Sequence, residues 1–402
     1  MVVRILVFVI FLSSFFSSAF AAEAQPLAWD DLLQRLKQHP EIQAYVTRAQ
    51  SSRHYAAGEL GLPDPMLFVE QRDYRLRSDM GRGGGDQMLG FKQEIPRTGI
   101  RRAKSEKMQV EARKTSLMTD YAFAAMKARL ITVLASRQSF KEQKTFLDEQ
   151  ENLFSSERNS IKGRIAANQS GTSQLSLIQA DSTEIGILRA ELAEQERESE
   201  TMLTNMLGEV PEIALPAVKM AAWGFDPEKT YPVRIAAEDV AMAQKEVATK
   251  TAEFGPNFEV TANYGRMDNG DQAGALMVGV SIPFWSSQSQ KPRLEGANAA
   301  LQSSRLDLDN IKRGVIEKLN YLKAQIDASN RKIELLKTKN THLEASAKAL
   351  TREYGAGKAD FGMYLKARRD ALFTRISLAQ ELARNAALTA DFNRYIVEGE
   401  RP

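Results

Sequence analysis

The residues that could do chemistry are few and badly placed for it. His39, His54 and His342 are the only imidazoles in the 402-residue chain, and they are scattered without ligand spacing. Cysteine is absent, which removes disulfides, thiolate nucleophiles and Cys-ligated zinc or iron–sulfur centres. Methionine could bind soft metals, but Met118, Met126, Met202, Met206 and Met363 sit at separated helical positions that suit packing. Carboxylates are abundant only on Glu/Lys-rich stretches that read as solvated helix faces, and no Ser-His-Asp arrangement is suggested. The cluster Gly81-Arg82-Gly83-Gly84-Gly85 invites a phosphate-loop reading, yet a second strand follows it where a helix N-terminus would be needed. The expectation is a chain with no catalytic residues, no cofactor and no metal site, hence not an enzyme. With 54 Lys+Arg against 51 Asp+Glu, the net charge of +3 leaves no electrostatic footprint for nucleic acid.

What the sequence does carry is periodicity. Leu294, Leu301, Leu308, Val315, Leu322, Ser329, Leu336, Leu343 and Leu350 follow one another at seven-residue steps, broken in polarity only at Ser329. A sustained seven-residue apolar repeat winds helices into a left-handed coiled coil. Ile311, Leu319, Ile326, Ile333 and Ala347 form the companion stripe. In the first half Ala103, Val110, Leu117, Ala124 and Ile131 keep the period, and after a two-residue phase slip Val133, Phe140, Leu147, Phe154 and Ile161 continue it. Proline is missing from 97–210 and from 293–401, so a single helix of about 90 Å over 101–160 is expected. Gly163 with Asn168-Gln169-Ser170-Gly171-Thr172, and Tyr354-Gly355-Ala356-Gly357-Lys358, break the two long patterns, so each long helix turns back as a shorter partner.

Two other segments alternate with period two. Phe258, Val260, Ala262 and Tyr264 share one face against Glu259, Thr261 and Asn263; Leu276, Val278, Val280 and Ile282 oppose Ala275, Met277, Gly279 and Ser281. Both predict strands, joined through the polar stretch Gly265–Gly274. Residues 66–76 and 86–95 repeat the layout around Arg77–Gly85. Pro40 and Pro232, like Met66 and Phe258, lie 192 residues apart, and Pro96 and Pro283 close the second strand of each unit.

The chain therefore divides into a signal peptide over 1–22, a first repeat over 23–208, a linker over 209–229 and a second repeat over 230–398. The first repeat comprises a short helix, a β-hairpin over 66–95 and a helical hairpin over 98–207. In the second these are a short helix, a β-hairpin over 257–283 and a helical hairpin over 292–397. The leader rests on Arg4, the apolar run Ile5 to Phe16 and the Ala19-Phe20-Ala21 site, too short a run to span a bilayer. No Cys follows it, which excludes N-terminal lipidation of the mature chain. Two hairpins supply four strands, too few to close a sheet in hydrocarbon; a pore needs at least three chains, contributing 12 strands. The expected fold is mainly α with a small transmembrane β part: a homotrimer sharing a 12-stranded β-barrel and a periplasmic α-helical barrel. Alternation puts Phe258, Val260, Leu276, Val278, Val280 and Ile282 toward lipid, and Glu259, Thr261, Asn263 and Ser281 toward the lumen.

His39-Pro40-Glu41-Ile42, Leu62-Pro63-Asp64-Pro65, Gln93-Glu94-Ile95-Pro96-Arg97-Thr98-Gly99-Ile100-Arg101-Arg102, Ser281-Ile282-Pro283-Phe284 and Tyr354-x-x-Gly357, in this order and duplicated spacing, resemble the outer membrane efflux protein (TolC) family. The Pro-x-x-Gly-x-Arg stretch and compact loops are most similar to its heavy-metal cation branch. The resemblance implies a passive duct in the bacterial outer membrane, extending into the periplasm. Such a duct docks onto a periplasmic adaptor and an inner-membrane resistance-nodulation-division pump, and heavy-metal cations are the expected cargo. It further implies that the hairpin tips, 163–175 and 352–362, form the closed aperture and adaptor contact, with Arg352, Glu353, Tyr354, Gly357, Asp360 and Gly171 as gate or docking positions. The alternatives are a duct for drugs or type I secretion, or a periplasmic coiled-coil adaptor or scaffold without a pore.

Overall fold

The computed structural model describes residues 28–71, 85–167, 172–213, 215–267 and 269–397. The expected leader, most of the first glycine-rich loop and Gly171 lie outside the described residues. The first repeat contains helices α1 (Trp29–Lys37) and α2 (Pro40–Gly58), strands β1 (Met66–Gln71) and β2 (Gln87–Ile95), and helices α3 (Thr98–Ala166) and α4 (Thr172–Leu207). The second contains α5 (Tyr231–Ala252), β3 (Asn257–Arg266), β4 (Gln272–Ser281), α6 (Gln290–Gly355) and α7 (Phe361–Asn393). Where one short helix was expected at the start of the first repeat there are two, because Pro40 restarts the chain at its N1 position and His39 caps it, Nδ1 accepting from Glu41 N at 3.3 Å. The second hairpin is tighter than expected: Gly265 and Arg266 stay in β3 and Gln272 already belongs to β4, paired as Arg266↔Gln272.

The long helices set the dimensions. α3 has 69 residues and α6 has 66, which is about 104 and about 99 Å at 1.5 Å per residue. Near the sheet the lateral order is α2, α3, α5, α6; farther down it is α4, α3, α7, α6. Each short helix therefore stacks end to end with another along a long one. The joints are closed by α1, by the extended strap after α4 and by a bridge in which Tyr231 N donates to Tyr395 O (2.9 Å) and Val397 N to Lys229 O (3.1 Å). Asn393 holds the strap at both of its polar atoms, Nδ2 donating to Lys219 O and Oδ1 accepting from Ala221 N.

The phase slip in α3 has a physical reason. Ile131 packs under the strap with Val218 and Ala390, whereas Val133, on a different face, packs against α1 and α4. Below it Leu147, Phe154 and Ile161 are buried against Ile178, Ile185, Tyr364 and Leu372, each such side chain contributing about 1.5–3 kcal/mol. Between α3 and α5, two ion-pair ladders flank the seam: Lys107–Glu246 and Lys114–Asp239 on one side, Arg113–Glu238 and Lys245–Glu106 on the other.

Ser329, the polar break in the heptads, is one half of a buried polar pair. Its hydroxyl donates to Glu381 Oε1 (2.7 Å), and Lys332 Nζ donates to Oε2 (2.6 Å). The neighbouring Gln380 donates to Gln143, which donates to Ser139, so the polar contacts cross α6, α7 and α3. Burial raises the Glu381 pKa, but the Lys332 and Ser329 hydrogen bonds outweigh it and leave the carboxyl below its ordinary value. That contribution to stability is present above the ordinary carboxylate value and is lost as pH falls through the lowered one. Glu381 is only 4% exposed, and Glu381→Ala orphans Ser329. The expected cost is about 3 kcal/mol, read as a lower thermal midpoint by circular dichroism; the conservative Glu381→Gln recovers part of it.

Candidate functional site

The four strands form one antiparallel sheet in the order β1-β2-β3-β4, so the hairpins of the two repeats pair through β2 and β3. Register fixes two faces. On one, Val69, Leu89 and Tyr264 share a row; Leu67, Phe91, Ala262 and Leu276 share the next; Gln93, Val260 and Val278 the next; Ile95, Phe258 and Val280 the last. Ile282 keeps the same parity just past β4. This face is bare, with Val69 80% and Leu276 75% exposed, although Val260 is half-buried between its neighbours. On the opposite face Met66, Lys92, Thr261 and Met277 share a row, followed by Glu94, Glu259 and Gly279, then by Asn257 and Ser281. There Thr261 is 6% exposed, Asn263 and Glu259 are half-buried, and Lys92 Nζ meets Glu259 Oε2 at 2.8 Å.

The buried positions of the sheet, Met88, Gly90 and Thr261, all lie in the middle of this second face, so the sheet curls toward it there, while Met66, Glu94, Asn257, Met277 and Ser281 at its margins are exposed. Two glycines allow the curl. A Cβ at Gly90 would meet the Phe68 ring at 2.2 Å, and one at Gly265 would meet Gln87 O at 1.9 Å and Met88 Cα at 2.7 Å. Phe68 thus covers Gly90 from the inner face, and at Gly265 two backbones touch.

Below the strands, the motif Gln93-Glu94-Ile95-Pro96-Arg97-Thr98-Gly99-Ile100-Arg101 acts as a clamp. Gln93 Nε2 donates to Pro63 O (2.8 Å), Arg97 N to Asn257 Oδ1 (3.3 Å) and Arg101 Nη1 to Leu60 O (2.7 Å). The exit from β2 is thereby tied to the entries of both β1 and β3.

At the far end, about 100 Å away along α3, the two hairpin tips meet. Tyr354 stacks on Tyr364 with centroids 5.1 Å apart and rings 10° from parallel, and Phe361 packs on both. Arg164 Nη2 of α3 donates to the Tyr354 hydroxyl at 2.5 Å, and the guanidinium lies over that ring. Tyr364 Oη donates to Glu157 Oε1 (3.2 Å), and Arg368 Nη2 to Thr351 Oγ1 (3.0 Å). Burial, then the Glu157 charge, push the Tyr364 pKa up to about 12 against the pull of Arg368, so the phenol remains a donor at neutral pH. The cluster ties α3, α7 and α6 together. Of the tip positions singled out in the sequence, Tyr354 is at its centre. Gly357 takes φ +70° and closes α6, its N–H donating to Tyr354 O while Lys358 N donates to Glu353 O. Asp360 caps α7, accepting from Gly362 N at 2.7 Å, whereas Arg352 and Glu353 are exposed on the last turn of α6. Glu157, Arg164, Tyr364 and Arg368 had no signal in the sequence, because their partners lie up to 207 positions away.

Nothing in this arrangement resembles a reaction centre. Among the described residues no group of His, Asp or Glu could hold a metal, and no helix is long and apolar enough to cross a membrane. His54 and His342 are exposed on separate helices.

Residues 232–391, most of the second repeat, match the model of the outer membrane efflux protein family. The whole chain superposes on VceC from Vibrio cholerae with a TM-score of 0.75 at 15% identity, covering 91% of this chain and 95% of that one. It superposes equally on CusC, from a study of folding and transmembrane channel formation (0.77, 12%, 93% and 95%), and on a membrane protein from Pseudomonas aeruginosa (0.78, 12%, 91% and 89%). The fold is therefore the mainly helical one of these outer-membrane channels, with both repeats included. By sequence alone, no curated protein matches the chain.

The two glycines separate two outcomes. Gly90→Ala meets only a rotatable ring and should leave the yield of folded protein near wild type, whereas Gly265→Ala meets backbone on both contacts and should abolish it, as checked by circular dichroism and protease resistance of the purified protein.

Proposed function

We propose that the protein is the outer-membrane channel of a tripartite efflux assembly: a homotrimer whose chains share a 12-stranded barrel and a helical tube reaching into the periplasm. It catalyses no reaction; it conducts. The observation that carries this reading is the sheet, which among the described residues has one exposed, largely apolar face, a second face that carries its carboxylates and is covered at its middle, and a strand at each edge that is paired on one side only. Phe258, Val260, Leu276, Val278, Val280 and Ile282 then face lipid, and Glu259, Thr261, Asn263 and Ser281 the lumen. The helical palisade is open-edged too. Opposite its buried seam of Val315, Leu322 and Ile326, α6 exposes Leu306, Tyr321 and Leu335, a face that a neighbouring copy would cover. An adaptor or scaffold without a pore has no use for such a sheet.

The tip cluster is the gate. Because α7 is held to α3 by Tyr364–Glu157 and to α6 by Arg368–Thr351, the inner helices cannot swing outward until these bonds break. At about 0.5–1.5 kcal/mol each, a docking partner can supply that energy, and Arg352, Glu353, Tyr354, Gly357 and Asp360 mark the surface where a periplasmic adaptor would engage. An inner-membrane resistance-nodulation-division pump supplies the work. Cationic cargo, with heavy-metal ions as the first class to test, suits the wall: Glu70, Glu94 and Glu259 share the polar face with Lys92, and rings of carboxylates favour cations.

Conductance in planar bilayers tests the gate and the pore together. Wild-type protein should show small, rare openings, and Tyr364→Phe combined with Arg368→Ala should raise mean conductance several-fold with unchanged oligomer yield. Absence of conductance from both proteins, correctly assembled, would overturn the proposal.

A further inference from the structure

The most exposed large aromatic side chains in the described chain are not on the sheet but just beneath it. Phe284 is 80% and Trp285 73% exposed. They follow Ile282 and Pro283 at the end of β4, in a compact turn where Trp285 O accepts from Gln288 N (3.0 Å) and Ser289 N (3.1 Å). At the same level Leu62, ahead of β1, and Phe254, ahead of β3, are also exposed. Among the described residues neither the Phe284 nor the Trp285 ring of this belt stacks on another ring, whereas the aromatic clusters elsewhere are at least partly covered.

The height of this belt is informative. The apolar parity runs from the Tyr264 row, opposite Gly274, to Ile282, which is about 27 Å along a strand and about 20 Å across a bilayer at a tilt of about 40°. Phe284 and Trp285 stand at the end of that span, where a band of about 25 Å would finish, and Tyr264 stands at its other rim. Immediately beyond, Lys291 and Arg293 are exposed, the first turn of α6 holds no acidic residue, and neither cation pairs with a carboxylate among the described residues. On α3 Arg102 is 77% exposed by its side chain, paired only along its own helix with Glu106.

From this layering we infer that the strand-to-helix junction is a docking surface for anionic glycerophospholipid headgroups, with Phe284 and Trp285 seated at the glycerol level and Lys291 and Arg293 meeting the phosphates. The Trp285 indole, apolar with one N–H edge, partitions to that depth and Phe284 fills the acyl side beside it, while cations near an anionic surface add about 1 kcal/mol each, about five-fold in affinity. Charge complementarity and continuity with the bare sheet face select a lipid over a protein occupant. The inference rests on the proposed membrane position of the sheet and adds to it a depth, a leaflet and a headgroup charge.

The chain has three tryptophans, Trp29, Trp223 and Trp285, which makes the test direct. Full-length mature protein is reconstituted in vesicles of phosphatidylcholine or phosphatidylglycerol carrying bromine at shallow or deep acyl positions. The Trp285 signal is taken both from a Trp29→Phe/Trp223→Phe chain and from the difference between wild type and Trp285→Ser. Quenching should be strongest with shallow bromines and should favour brominated phosphatidylglycerol about 25-fold, the product of two cations at about five-fold each. That preference should fall about five-fold for each charge removed in Lys291→Gln and Arg293→Gln. A Trp285 signal unquenched in vesicles that contain conducting protein, or a lipid preference unchanged in the double variant, overturns the inference and leaves the channel standing. Failure of the protein to enter vesicles at all overturns both.

Discussion

In hydrocarbon an unpaired backbone N–H or C=O has no water to fall back on, and each one costs several kcal/mol. The sheet of this chain has β1 at one edge and β4 at the other, each paired on one side only, and its outward face is apolar enough to belong in lipid. In the membrane reading proposed above, a single copy is an unfinished object with two consequences: it would assemble with copies of itself, and its strands would curl toward the second face, which accounts for glycine at positions 90 and 265, where a Cβ would strike Phe68 or the backbone of β2.

The helices face a different problem. A helix of about 100 Å can slide along its partner by one heptad with little loss of apolar contact, because each seam position resembles the one seven residues away. The buried Ser329–Glu381 pair removes that freedom, since a slipped register would strand a carboxylate in an apolar seam, and the exposed Gln380 beside it reaches the buried Gln143–Ser139 pair of α3. The Arg97, Gln93 and Arg101 clamps fix the upper end of α3 relative to the strands, and the far tips are joined through the Tyr354–Tyr364 cluster and its hydrogen-bond partners.

Legibility in the sequence followed the range of the interactions. Period seven and period two are local signals, so the long hairpins and the faces of β3 and β4 could be read directly, and the duplicated prolines marked the strand-to-helix switches. The pairing of β2 with β3 could not be read, since it joins residues such as Ile95 and Phe258 across a whole repeat. The same holds for the tip. Tyr354 stands out beside Gly357, but Arg164 and Glu157 look like any charge on a solvated helix until a partner some 190 or 207 positions away arrives. Asp360 and Gly357 were legible as positions, while their local work as helix cap and helix terminator takes atoms to see. Ser329 looked like a flaw in a heptad and is one half of a buried pair.

Edge closure between copies is the claim on which the rest depends, and the absence of native cysteine makes it measurable. Within one chain β1 and β4 are separated by two strands, about 14 Å, beyond the reach of a disulfide. One cysteine on β1, scanned over positions 67–70, and one on β4, scanned over 274–278, can therefore join only different copies. Oxidation of outer-membrane preparations should give a ladder that ends at three chains for the in-register pairs, with the closed three-chain species resistant to heat until reduced. A product confined to one chain, or a ladder that runs past three without closing, would contradict the account.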